Sequence, residues 1–158
     1  FEKLSGYKFS PACIETLVKK FPDQIVGVKD SSYNLFETLK INNFSIFPGS
    51  ESKLLKGLEL GCDGIITATT NITGTLAREV YDSFKNNSDL SSNKKLCDVR
   101  GCFEKYNLIS GLHTVMSEKN QIFENLLPPL KLLDTNQKKE ILTSLVNLEF
   151  KIANLKAA

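Results

Sequence analysis

Apolar residues recur along this chain first in short runs and then at helical spacing. The pattern predicts alternating strands and helices that give way to helices alone in the last third. Ser10 as N-cap and Pro11 at N1 open a helix whose stripe is Ile14, Leu17, Val18 and Phe21, and Pro22 ends it. Ile25, Val26 and Val28 predict a short buried strand, residues 35–41 a brief helix holding Phe36, Leu39 and Lys40, and residues 44–47 a second strand. Ser50 or Glu51 opens the next helix, which buries Leu54, Leu55, Leu58 and Leu60 and stops at Gly61. A third strand is predicted over residues 64–69. Leu76, Val80 and Phe84 then stripe a helix that frays into the polar stretch 86–93.

Beyond that stretch Leu96, Val99, Phe103 and Tyr106 recur at helical spacing, and Leu112, Val115 and Met116 begin another short helix. Pro128-Pro129 breaks the chain. Asp134 or Thr135 caps a final helix expected to run through Ile141, Leu145, Leu148 and Ile152 to the end. The order β-α-β-α-β-α implies parallel strands with right-handed crossovers. The organisation is therefore expected to be a β/α part over residues 1–90 and appended helices over 91–158.

Composition narrows the function classes. The chain has 158 residues, 41% apolar and 24% charged, the balance of a soluble globular domain. A net charge of +2, with lysines dispersed among acids, argues against nucleic acid as a partner. Cys13, Cys62, Cys97 and Cys102 form no CxxC pair, and His113 is the single histidine, so no metal-ligand spacing is present. The four cysteines read as reduced thiols of a cytoplasmic protein. No apolar run approaches the roughly twenty residues of a membrane span.

The candidate chemistry centres on the run from Gln24 to Ser32, where an apolar strand delivers Lys29 to its end and a small polar loop follows. A lysine at the carboxyl end of a parallel strand can lie in a β/α barrel mouth, where a desolvated amine attacks carbonyl carbon. Most lysines after a strand are solvated surface residues, so the run alone does not decide. Two further blocks do. GVKDSS at 27–32, FPGSE at 47–51 and GCDGIITATTN at 61–71 follow one another about one strand-plus-helix unit apart. With these blocks in order, the chain resembles the dihydrodipicolinate synthase and N-acetylneuraminate lyase family of Schiff-base lyases, across about residues 4–133.

The resemblance implies a (β/α)8 barrel, of which this chain carries strands six to eight and the C-terminal helices. A full barrel needs about 250 residues, and the first block corresponds to the family's sixth strand, so the five preceding strands are expected upstream of Phe1. The resemblance also implies that Lys29 forms an imine with the ketone of pyruvate, without a cofactor. Asp30 either orients the loop or caps the segment after Ser32, the commoner role of such a residue. Gly49 lies where the family brings backbone close to substrate, or is a turn glycine. Ser50 and Glu51 lie where members recognise the second part of the substrate. Ile66 falls where a backbone carbonyl faces the keto acid, its side chain being expected in the core. Thr67, Thr69 and Thr70 could line a polar mouth or simply favour strand.

Departures from the family pattern narrow the substrate. Leu4 stands near the position where the synthases carry an arginine for the carboxylate of their aldehyde substrate, and an apolar residue cannot make that contact. Cleavage of a 2-keto-3-deoxy sugar acid is therefore expected first, dihydrodipicolinate-type condensation second. GLHTV at 111–115 looks like the GLKTV of neuraminate lyases, with His113 in place of lysine and no role assigned to it. The threonine pair that clamps the keto-acid carboxylate and the tyrosine of the proton relay have no counterpart here. Tyr7 follows Ser5-Gly6 where the family's tyrosine precedes that dipeptide. Residues 1–158 alone are accordingly expected to be inactive, and a non-catalytic fragment or interaction module is the alternative from another class. The resemblance further implies a homo-oligomer, a tetramer, acting on a small keto acid.

Overall fold

The computed structural model describes residues 1–152 and divides the chain into two compact units. The first comprises Phe1–Thr67 with Tyr81–Ser88; the second comprises Ala68–Val80 and the chain from Asp89 onward. Among the described residues no helix is long and apolar enough to cross a membrane.

The first unit opens with a one-turn helix, α1 (Glu2–Ser5), which the apolar pattern did not predict. Helix α2 (Pro11–Lys20) starts as expected, with the Ser10 hydroxyl accepting from Cys13 N at 3.2 Å and Pro11 at the first helical position. Strands β1 (Gly27–Asp30) and β2 (Ser45–Pro48) pair in parallel, Lys29 opposite Phe47. A 3₁₀ turn over Glu51–Lys53 leads into α3 (Leu54–Glu59), which Gly61 at φ 89° terminates.

The core of this unit lies on one face of the two strands. Ile14, Leu35, Phe36, Leu39, Ile46 and Cys62 are buried together, with Val18, Val28, Ile41, Phe44 and Leu60 packed around them. Alternation along a strand sends neighbouring side chains to opposite faces. Asp30, Ile46 and Pro48 accordingly face the core, while Lys29 and Phe47 face away from it.

Three expectations for this unit are corrected. The first strand begins at Gly27, not at Ile25, because β2, its partner among the described residues, starts opposite Gly27; Val26 is 61% exposed instead of buried. Residues 35–41 hold one turn, closed by Leu39 N on Leu35 O, and no helix. Residues 64–69 are not a strand. Asp63 N and Ile66 N bond Ile46 O and Pro48 O, but Pro48 has no N–H to donate back, so the bonds run one way and no ladder forms.

In the second unit, helix α4 (Thr70–Lys85) passes from one unit into the other, and α5 (Ser92–Gly101), α6 (Leu108–Ser117) and α7 (Thr135–Asn147) follow. Val99, Phe103, Leu112, Val115, Met116, Ile141 and Leu145 form its buried cluster. Asn107 caps α6, and Asp134 caps α7 in a reciprocal capping box with Gln137. The Pro128-Pro129 peptide is cis. Two helical runs end earlier than their apolar stripes predict. Phe103 and Tyr106 lie in turns beyond α5. The last helix stops at Asn147, because Glu149 at φ 51° lets Phe150 N reach back to Leu145 O at 2.9 Å, which leaves Leu148 and Ile152 outside it. The expected continuation past Ile152 lies outside the described residues.

Candidate active site

Lys29 is the third residue of β1, not a residue at its end, and its side chain stands on the sheet face turned away from the core. Its Nζ donates to Ser31 Oγ at 2.8 Å and lies 5.5 Å from the centre of the Phe1 ring. Ser31 is the first residue after β1, and this hydrogen bond brings its side chain to Lys29.

Asp30 points the other way and is 1% exposed. Its Oδ2 accepts from Leu35 N at 2.9 Å and Phe36 N at 3.0 Å, which offsets the desolvation of the carboxylate and fixes the loop after Ser32. Oδ1 is buried without a hydrogen-bond partner among the described residues. The capping role of Asp30 is thus realised on a single turn.

Gly49 extends the β1–β2 ladder, its N–H donating to Asp30 O at 2.9 Å. A Cβ there would stand 2.7 Å from Ser31 Oγ and 3.1 Å from Ser31 Cα, so glycine is needed for the close approach of these two segments. Ser50 and Glu51 are buried, at 4% and 0% exposure, and Glu51 Oε1 accepts from Thr67 Oγ1 at 2.8 Å. Ile66, expected in the core, is 46% exposed, with its N–H on Pro48 O. Ser31 therefore meets both Lys29 and Gly49, whereas the Glu51 carboxylate is directed inward. Thr69 is fully buried and leads into α4.

Behind the sheet, burial pushes the Cys62 thiol above its ordinary pKa; Lys40 opposes this, and Asp63 and Asp30 add to it. His113 lies in the second unit, its Nδ1 2.7 Å from Phe123 O, a bond that ties α6 to the turn over Gln121–Glu124. Tyr7 is 54% exposed and packs edge-on against Phe9. Among the described residues, no group of three or more His, Cys, Asp and Glu side chains could hold a metal ion.

The profile of the Dihydrodipicolinate synthetase family matches residues 1–148. The chain belongs to this family. Within it, a 2-dehydro-3-deoxy-D-gluconate/2-dehydro-3-deoxy-phosphogluconate aldolase of Picrophilus torridus is 29% identical over 131 residues, 78% of this chain and 48% of its own length. A 4-hydroxy-tetrahydrodipicolinate synthase of Desulforamulus reducens is 32% identical over 95 residues, 56% of this chain and 32% of its own. Among solved structures, a prophage protein of the dihydrodipicolinic acid synthase family from E. coli K12, in complex with pyruvate, superposes with a TM-score of 0.75 at 24% identity, over 96% of this chain and 55% of its own. This family member thus has the α/β fold of the family's barrel structures. It spans about half the length of the aldolase and the prophage protein it matches.

Proposed function

We propose that this chain contributes β1 and β2 as strands six and seven, the segment 64–69 that becomes strand eight once a further strand pairs with it, and the C-terminal helices of a (β/α)8 barrel. In this reading residues 1–90 are barrel and 91–158 are appended helices. The assembled protein is a class I lyase that acts on pyruvate or a 2-keto acid through an imine on Lys29. One observation carries the reading: the amine stands one residue from the carboxyl end of β1, on the sheet face opposite the packed core, which a barrel turns to its interior.

The chemistry follows from that position. The neutral Lys29 amine attacks the keto carbon, a C–N bond forms, and loss of water leaves an imine. Once protonated, the imine draws in the electron pair of the bond between the α and β carbons while the β-hydroxyl gives its proton to a base of the assembled barrel, which releases an aldehyde and leaves an enamine. Protonation of the enamine carbon and hydrolysis return pyruvate and the free lysine. The imine is itself the electron sink, so this route uses no cofactor.

Gly49 and the backbone at Ile66 border the keto acid in this reading. Ser50 and Glu51 shape the second part of the substrate site from beneath, because both are buried. Leu4, 80% exposed, offers no charge to an aldehyde carboxylate. That absence, and the aldolase's match over more of this chain than the synthase's, support a 2-keto-3-deoxy sugar acid as substrate. Condensation of the synthase type is the second reading, supported by the 32% identity of the synthase.

The uncovered sheet face and the outer edge of β1 call for the rest of a barrel to cover them. We further infer a homo-oligomer, a tetramer, located in the cytoplasm. Residues 1–158 alone should show no turnover, since they provide no carboxylate clamp and no proton-relay tyrosine. A substrate panel on the complete natural protein tests the ranking. Cleavage of a 2-keto-3-deoxy sugar acid, abolished by Lys29→Ala, is expected. Faster condensation of pyruvate with aspartate semialdehyde would reverse it, and inactivity on every 2-keto acid would favour a non-catalytic module.

A further inference from the structure

We infer that Ser31 is a positioning residue for the Lys29 amine: its hydroxyl holds Nζ in the orientation from which it attacks. The inference rests on the reading of Lys29 as the imine-forming residue. Ser31 follows β1 directly, the Asp30 side chain between it and Lys29 is buried, and Ser31 Oγ is the hydrogen-bond partner of Nζ among the described residues, at 2.8 Å.

The two partners differ in freedom. A lysine side chain carries about 2 kcal/mol of rotamer entropy on its four-carbon stem. Ser31, by contrast, is fixed from both sides. Behind it, Gly49 N donates to Asp30 O at 2.9 Å and brings its Cα so close that an added Cβ would stand 3.1 Å from Ser31 Cα. Ahead of it, the buried Asp30 carboxylate ties down Leu35 N and Phe36 N. A rigidly held hydroxyl therefore selects one lysine conformation.

A hydroxyl also suits the chemistry better than a carboxylate would. It accepts an N–H from the ammonium and from the neutral amine alike, so it holds both forms that the imine cycle passes through and leaves the lone pair of the neutral amine free. A carboxylate in its place would favour the charged form, which does not attack carbonyl carbon. With a single acceptor bound, the remaining positions on Nζ are open to the keto acid.

The test is pyruvate-dependent borohydride trapping on the complete natural protein, read as a first-order rate at saturating pyruvate and as the pyruvate concentration giving half that rate. Ser31→Ala is expected to lower the rate about tenfold, the effect of one hydrogen bond. The half-saturating concentration and the melting temperature should stay unchanged. Ser31→Thr, which keeps the hydroxyl, should recover most of the rate, and if threonine melts early the alanine variant alone decides. No trapping on the wild-type protein would overturn the imine reading itself. Wild-type trapping matched by Ser31→Ala would overturn only the positioning role. So would a raised half-saturating concentration at an unchanged rate, which would make Ser31 a pyruvate ligand, or a Ser31→Thr variant that melts normally yet is as slow as alanine.

Discussion

Thr67 Oγ1 donates to Glu51 Oε1 at 2.8 Å, tying the segment after Gly64 to the turn that follows β2 by a side-chain bond where a strand ladder is absent. Glu51 is fully buried, so its removal strands polar groups in the interior. Glu51→Ala should cost about 2–4 kcal/mol in urea unfolding of the complete protein. Glu51→Gln, which keeps an acceptor, should cost clearly less. A Glu51→Ala protein of unchanged stability but weakened substrate affinity would instead make Glu51 a direct ligand.

The fold was legible where local chemistry is self-sufficient. Ser10-Pro11, Asp134 and Gly61 bound helices through their own capping groups, so two helix starts and the α3 stop follow from the chain itself, whereas the Asn107 cap of α6 was not foreseen. Strands depend on partners, and this is where expectation and structure part. Ile25 and Val26 are apolar enough for a strand but have no residues of β2 opposite them, and residues 64–69 lie beside Pro48, which has no N–H to donate back to them. The lysine at the site was visible as a residue, yet its bond to Ser31 and the inward turn of Glu51 depend on side-chain direction, which a motif does not specify.

Asp30 should be more sensitive to loss than to neutralisation. Asp30→Ala leaves Leu35 N and Phe36 N without an acceptor and should cost about 2–4 kcal/mol, whereas Asp30→Asn keeps one oxygen for them and should cost about half as much. Equal unfolding midpoints for the two variants would mean that the charge, not the pair of bonds, holds the loop.

Gly49→Ala should disturb the site through sterics alone. The added methyl would come 2.7 Å from Ser31 Oγ, and the crowding is expected to cost about 1–3 kcal/mol and to slow imine trapping on Lys29. Unfolding midpoints and trapping rates equal to wild type would show that the Gly49–Ser31 approach is not maintained in solution.

Burial raises the pKa of Cys62, which gives alkaline stability a defined sign. The unfolded thiol ionises near its ordinary value of about 8.5 while the folded thiol stays protonated. The stabilising term is therefore fully present below that pH and is lost as pH rises through the folded pKa. Urea midpoints at pH 7 and pH 10 should fall further for wild type than for Cys62→Ala. Parallel losses in the two proteins would place the alkaline transition elsewhere.

Imine formation between Lys29 and a 2-keto acid can be trapped. The complete natural protein is incubated with pyruvate and borohydride, digested, and its peptides weighed. A reduced pyruvate adduct is expected on the peptide holding Lys29, absent without pyruvate and absent from Lys29→Ala. An adduct on a different lysine, or none under conditions that trap a known class I aldolase, would contradict it.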